Sequence, residues 1–370
     1  YHNQEIGMFE ASKDVPKVML LCITWYFVSS TNNVVGKTLL MKFPYPMTLT
    51  IVQLFSIATY SGPVFHYLGI RPCIEFTNRF YLKYILPLAF GKILASLSGH
   101  ISIWKVPISY AHTVKASMPL FIVILSRIIF RERHTLKIYL SLVPIVVGIM
   151  IATVTELSFD VVGLVFALIS TLIFALQNIF SKQVLHDTGV HHLRLLHILG
   201  KLSFIMLLPF WCFFDLPSML KNEVDIFGME TFVLLALDGV LNWLQNIIAF
   251  SVLSLVSPLT YAVASASKRI SVVTVSLLMM KNPVTFTNVF GMSLAILGVL
   301  AYNKAKYDAN EAKKKASLPL VIQSNTTLKE VVSWPYFMEM ESYDEPTLDK
   351  SRKFPWSWFS AKTDYQLLTV

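Results

Sequence analysis

Charged side chains are scarce in this chain, 14% of its 370 residues, where an ordinary soluble domain carries roughly 25%. A soluble protein of this length needs a charged coat over two or three domains, so most soluble folds are excluded. Cysteine is rarer still. Cys22, Cys73 and Cys212 are scattered and without C-x-x-C spacing, which excludes a disulfide framework and a zinc site. Paired catalytic groups, a nucleophile elbow and a metal motif are also missing, so neither an enzyme of the membrane nor a bound cofactor is indicated. His186, His191, His192 and His197 imitate a metal cluster only superficially, because His192 and His197 are five residues apart and fall on different helix faces. The net charge of +9 would suit a nucleic-acid partner, but the basic residues lie in short loops, a tail and a few isolated positions. No groove-reading stripe with interleaved aromatics exists, and no nucleic acid is expected.

What the chain has in quantity is apolar sequence, 55% of its residues. About 20 apolar residues are needed to cross a bilayer, and ten such runs occur, at 18–38, 46–68, 83–104, 107–130, 137–155, 161–182, 195–214, 230–253, 257–280 and 285–303. Their interruptions, such as Pro87, Gly91, Pro119, Pro144 and Lys268-Arg269, are of the kind tolerated where helices line a cavity. Trp25, Trp104, Trp211 and Trp243 read as interfacial anchors or packing. The first run is long enough to span and lacks a small-residue cleavage pattern, so it reads as a membrane helix rather than a signal peptide. The chain starts at Tyr1 rather than a methionine, which leaves residues upstream open.

Ten spans put both termini on one side. Arg71, Arg79, Lys83, Arg131, Arg133, Lys137 and Arg194 share that side, against Lys42, Lys105, Lys221 and Lys281 on the other, so residues 1–17 and the tail are expected in the cytosol. The Asn325-Thr326-Thr327 sequon then lies where no glycan is added. Residues 307–370 turn polar and rich in Lys, Glu, Ser and Pro, and are expected to be mostly disordered. Within them, the aromatic cluster at 355–359 could rest on a membrane interface, and Tyr365-Gln-Leu-Leu matches a sorting pattern. Both are weak matches.

The chain also repeats itself. Asn33-Val-Val-Gly-Lys37 near the end of the first run returns as Asn178-Ile-Phe-Ser-Lys182 near the end of the sixth. Val106-Pro-Ile-Ser-Tyr110 in the fourth returns as Val256-Ser-Pro-Leu-Thr-Tyr261 in the ninth, and Gly148 matches Gly298. The unit holds five spans, 18–155 and 161–303. Because five is odd, the second copy enters the membrane from the opposite side. The expected fold is an all-α membrane protein of ten transmembrane helices in two inverted five-helix repeats, an arrangement that puts a substrate site near the midplane where the copies meet.

Three cations occupy that depth. Lys115 lies mid-way along the fourth span and Lys268-Arg269 equally deep in the ninth, where the repeat aligns Lys268 with Met118. Each costs roughly 2.5–3.5 kcal/mol at a helix centre, and two of them about 6 Å apart repel by roughly 3 kcal/mol at an effective dielectric of 20. Such a cluster needs anions. Asp238 in the eighth span is the one clear carboxylate, and Lys92 and Lys201 compete for it. Five cations and one carboxylate do not balance as a structural network, which favours a cavity for a polyanion. A phosphate suits it, since Arg offers a bidentate fork and Lys a point charge. Closing around unneutralised cations is unfavourable without cargo, which implies exchange of one anion for another; proton coupling through a lysine of depressed pKa is the open alternative.

The stretches Lys105-Val-Pro-Ile-Ser-Tyr-Ala-His-Thr-Val-Lys115, Tyr139-Leu-Ser-Leu-Val-Pro-Ile, Thr155-Glu-Leu-Ser-Phe, Asn178-Ile-Phe-Ser-Lys182 and Ser257-Pro-Leu-Thr-Tyr…Lys268-Arg269-Ile-Ser-Val resemble the triose-phosphate translocator branch of the nucleotide-sugar/triose-phosphate transporter family. That family lies within the drug/metabolite transporter superfamily. His191-His-Leu-Arg-Leu-Leu and Asn303-Lys-Ala-Lys-Tyr-Asp further resemble subfamily E of solute carrier family 35. The resemblance implies a secondary antiporter that exchanges a phosphorylated small molecule, with phosphate as counter-substrate, and it implies that Lys115, Lys268 and Arg269 bind the phosphate. Register from those residues puts Ser96, Gly99 and Gln245 where plastid carriers hold the organic part with His, Thr and Tyr. The clamp is kept while the rest is replaced, so the cargo need not be a triose phosphate, and no plastid location is implied. A Golgi or endoplasmic reticulum membrane is expected.

Other residues are weighed from position. His100, Gln245 and Asn246 are further candidates for the organic moiety, while His112 suits packing equally well. Asn33, Lys37, Asn178 and Lys182 could form gates, although capping explains them as well. Membrane lipid is an expected partner, with a homodimer left open. A nucleotide-sugar or nucleoside-monophosphate antiporter and a non-transporting membrane partner protein are the alternative functions.

Overall fold

The computed structural model describes residues 2–67, 77–221, 228–256, 258–282 and 284–317. The Asn325 sequon, the 355–359 cluster, the Tyr365 pattern and Cys73 lie outside the described residues. Twelve helices follow in order: α1 (His2–Lys42), α2 (Pro46–Tyr67), α3 (Asn78–Phe80), α4 (Leu86–Lys105), α5 (Ile108–Val114), α6 (Met118–Ile129), α7 (Leu136–Val154), α8 (Val161–Thr188), α9 (His192–Lys221), α10 (Met229–Leu255), α11 (Pro258–Met280) and α12 (Phe286–Ser317). A π-helical turn at Tyr81–Ile85 joins α3 to α4, and a 3-10 turn at Lys115–Ser117 joins α5 to α6. Among the described residues, ten stretches are long and apolar enough to cross a membrane.

Local chemistry explains the punctuation. Asp160 caps α8 by accepting a 2.8 Å bond from the Gly163 N–H, which satisfies one orphan donor of the first turn. Gly189 ends the same helix at φ 61, a left-handed conformation that glycine adopts without penalty. The break at Lys115 precedes Met118-Pro119; proline has no N–H for the carbonyl four residues back. Outward-facing side chains are apolar to a degree that water would not tolerate, with Phe213 80% and Leu278 72% exposed, as expected of helices solvated by lipid.

Several helices outrun their hydropathy. The third stretch begins at Asn78 rather than 83, α9 continues to Lys221 rather than 214, and α12 continues to Ser317 rather than 303. The extensions carry polar or aromatic residues that a hydropathy window discounts, yet Ala, Lys and Glu at 309–316 are strong helix formers. The longer α9 includes Asp215 in its apolar stretch, as α10 includes Asp238.

Packing obeys an inverted repeat. The halves α1–α7 and α8–α12 exchange partners symmetrically: α4 packs on α8 as α1 packs on α10, α6 lies on α8 as α11 lies on α1, and α2 with α9 and α7 with α12 are self-paired. The α7–α12 crossing shows the symmetry atom by atom. A Cβ on Gly148 would strike the Ala295 N and come within 2.6 Å of the Gly291 carbonyl, while one on Gly298 would come within 2.8 Å of the Ile145 N. Positions 145 and 295 are themselves repeat equivalents. Ten spans leave both ends of the bundle on one face, called here the terminal face, and the ion pairs respect that parity. Lys313 meets Glu132 at 3.1 Å on the terminal face, and Lys42 meets Glu230 on the opposite face.

Backbone lies under a Cβ at Gly148 and cannot move aside as a side chain would. Gly148→Val should therefore lower the melting temperature of detergent-purified protein by several degrees or abolish its expression. Gly62→Ala, where a Cβ meets nothing within 4 Å, should not. Equal melting temperatures for the two variants would show that the crossing is not tight.

Candidate functional site

The helix break of the fourth span positions Lys115, and the middle of α11 positions Lys268 and Arg269. All three act on one another electrostatically. Each has a different surrounding. A Cβ on Gly99 of α4 would lie 3.5 Å from the Lys115 Nζ and 3.2 Å from the Ser170 Oγ of α8, so the amine packs closely against this bare stretch of α4. The Lys268 Nζ sits 4.7 Å above the Trp25 ring, a cation–π contact, and Trp25 is backed by Tyr261 in a stack at 5.6 Å. The Nη1 of Arg269 is buried without a hydrogen-bond partner.

Neither Asp238 nor Asp215 reaches these cations. Asp238 accepts a 2.7 Å bond from the Gln53 Nε2, and its Oδ1 is buried and unpartnered beside Gly36, whose Cβ would approach to 3.1 Å. Asp215 accepts from the Thr48 N–H at 3.0 Å and its hydroxyl at 2.8 Å. Among the described residues, no carboxylate pairs with Lys115, Lys268 or Arg269. Neutral donors hold the acids while the three bases stay without a carboxylate among the described residues, so the cluster is not an internal salt bridge.

Two histidines stand within its field. His100 shares a 2.8 Å bond with the Thr50 hydroxyl and is coupled to Lys115. His112 shares a 2.8 Å bond through Nε2 with the Asn33 Oδ1 and is coupled to all three cations. The eighth-span amides differ from each other. Gln245 has a buried Oε1 without a partner, whereas the Asn246 Nδ2 is spent on the Asn242 carbonyl of its own helix at 2.7 Å. Ser96 lies on the α4 face with Gly99, three residues away.

The four gate candidates separate into two kinds. Lys37 donates to the carbonyls of Ile103 at 2.7 Å, Trp104 at 3.1 Å and Val106 at 3.2 Å, closing the end of α4 at the opposite face. Asn33 ties α1 to His112. Their repeat equivalents do neither: the Asn178 amide only reaches the Met118 sulfur at 4.0 Å, and Lys182 is exposed and lies near Lys306. Gln53, Thr50 and Gly36 escaped sequence reasoning, since nothing in their spacing marks which apolar face they share with Asp238 or His100.

Two loop groups are also perturbed. On the opposite face, burial raises the Glu156 carboxyl, offset in part by bonds from the Ser158 N–H and the Asn288 amide. On the terminal face, burial lowers His134, with Glu132 opposing and Lys306, Lys313 and Arg127 reinforcing the shift. A groove of about 570 Å³ between α1 and α11, lined by Tyr26, Phe27, Ser30 and Ser271, is nearly all apolar and contains none of the three cations.

Comparison with known proteins matches this arrangement to one family. The profile of the Triose-phosphate Transporter family matches residues 16–303. A Schizosaccharomyces pombe protein with a transporter designation and no named cargo is 32% identical over 334 residues, 86% of this chain and 73% of its own length. The chloroplastic xylulose 5-phosphate/phosphate translocator of Arabidopsis thaliana is 32% identical over 320 residues, 84% of this chain and 75% of its own. The chloroplastic glucose-6-phosphate/phosphate translocator 2 of the same plant is 29% identical over 306 residues, 80% of this chain and 77% of its own. With ten apolar helices and a family match over most of its length, the chain is an integral multi-pass membrane protein and belongs to the triose-phosphate transporter family.

Proposed function

We propose that this protein is an alternating-access antiporter that exchanges a phosphorylated organic anion for inorganic phosphate across an internal membrane, the Golgi or the endoplasmic reticulum, with both termini in the cytosol. The observation that carries the reading is the absence of any carboxylate on Lys115, Lys268 and Arg269 among the described residues. Three mutually repelling cations in a water-poor site are unfavourable, and a phosphate dianion relieves them with charge-assisted hydrogen bonds. The relatives named as phosphate translocators support the same chemistry. Obligate exchange follows because closure without cargo leaves the repulsion unrelieved.

Gating follows from the repeat. Lys37 latches the opposite face in the present conformation, and Lys182 forms the equivalent latch on the end of α10 when the carrier reverses. His100, Gln245 and Gly99 line the space for the organic moiety. Purified protein in liposomes loaded with phosphate should take up labelled phosphate, and external organic phosphates should compete. Phosphate uptake into vesicles without internal phosphate would exclude obligate exchange. Competition by nucleoside monophosphates alone would assign a nucleotide-sugar cargo instead.

A further inference from the structure

Lys92 lies on α4 within the membrane and has no hydrogen bond or ion pair among the described residues. It precedes Gly99 by seven residues, nearly two full turns, and so shares its face at a level about 10 Å nearer the terminal face. Gly99 is where Lys115 and Ser170 meet α4. The helix opposite, α8, runs antiparallel to α4. Ser170 donates to the Ala95 carbonyl at 2.8 Å and Ile173 faces Gly91, and Gln177 continues that face seven residues beyond Ser170. Seven residues back on α4 and seven forward on α8 reach the same level. There, the Oε1 of Gln177 is buried without a partner.

A cation and an amide oxygen thus stand unpartnered at one height, on the two helices that flank Lys115. We infer that Lys92 and Gln177 form a second cargo subsite, about 10 Å from the phosphate clamp toward the terminal face, that takes a second anionic group of a two-ended organic phosphate. The inference rests on the exchange reading above and narrows its substrate class to bisphosphates, with a phosphorylated polyol acid as the shorter variant. Lysine supplies the point charge, and the Gln177 Oε1 accepts from a cargo hydroxyl beside the second anion.

The repeat shows that this feature is one-sided. An offset of about 145 residues carries Gln177 to Asn32, whose Oδ1 is likewise buried and unpartnered. An offset of about 150 carries Lys92 to Asn242, which is neutral. Both sides of the clamp are polar, but the amine at that level on the opposite side, Lys37, is spent on the carbonyls of Ile103, Trp104 and Val106, whereas Lys92 is unspent among the described residues. A cargo seated across the site therefore has a preferred orientation, with its second anion toward the terminal face.

The test uses full-length protein in phosphate-loaded liposomes, with inorganic phosphate, a hexose monophosphate and the hexose bisphosphate of the same skeleton as competitors. Wild type should prefer the bisphosphate. Lys92→Gln should weaken bisphosphate competition about tenfold or more while leaving phosphate exchange and monophosphate competition unchanged, and Lys92→Arg should restore it. Gln177→Leu should lose a smaller part of the same preference. An unchanged bisphosphate preference in Lys92→Gln, or an equal loss for all three anions, would overturn the subsite. Wild type that exchanges no phosphate would instead sink the transport reading. In that case the subsite still stands or falls on whether the bisphosphate raises the melting temperature of wild type and not of Lys92→Gln.

Discussion

Lys115→Met, Lys268→Met and Arg269→Met should each abolish phosphate exchange, by at least 100-fold, and yet none should destabilise the carrier. The two halves of that expectation have one cause. Each cation is kept in the membrane without a carboxylate among the described residues, at an insertion cost of roughly 2.5–3.5 kcal/mol. Removing one also removes its repulsion from the other two. The melting temperature without ligand should therefore hold or rise in the variants, while the rise that phosphate confers on wild type disappears. Lys268 should gain least, because its amine rests on the Trp25 ring at 4.7 Å, a contact worth about 2 kcal/mol when desolvated. Arg269, with Nη1 buried and unpartnered, should gain most. Scanning fluorimetry and liposome exchange on the same preparations decide the matter. A fall of the melting temperature in all three variants would mark the cluster as structural, and undiminished exchange would remove it from the transport path.

The three cations of the proposed clamp were legible in the sequence. Lipid penalises charge so strongly that Lys115, Lys268 and Arg269 stand out against their spans, and the inverted repeat adds their common depth. The ten spans were legible because a bilayer demands about 20 apolar residues. Helix rotation was not. Whether Asp238 faced the cations or Gln53 depends on which side of α10 meets α1 and α2, and hydropathy is silent where all faces are apolar. The structure sets Asp238 against Gly36 and Gln53, which removes the one acid that a structural ion-pair network required. Span ends were misjudged for a related reason. Beyond 303, the α12 residues have high helix propensity but no hydropathy, and at the end of α9 the acid Asp215 is covered by Thr48 rather than expelled. Both are tertiary or local effects that a window average removes.

Lys37→Met should open the opposite face. The C-terminal carbonyls of a helix have no partners within it, and α4 ends on Val106 in an extended conformation, φ −124 and ψ 162, with Lys37 donating to three carbonyls there. The α10 terminus is built alike, ending on Val256 at φ −127 and ψ 157. Its lysine, Lys182, is exposed on the other face. The two ends share this backbone geometry and, under the exchange reading, differ in which lysine is engaged, as two alternating states of an inverted repeat would require. Hydrogen bonds from a charged donor contribute about 1.5–3 kcal/mol each net, so losing even one shifts a two-state equilibrium by roughly 10- to 150-fold. A thiol at Ser109, buried in the first turn of α5 on the latched side, reports the change in a background without other cysteines. Lys37→Met should raise its labelling by an impermeant reagent from the opposite face at least tenfold, and slow exchange because the carrier stalls in that state. Lys182→Met should do the reverse, reducing Ser109→Cys labelling below that of the parent. Equal labelling in all three backgrounds would leave Lys37 as a helix cap without a gating role.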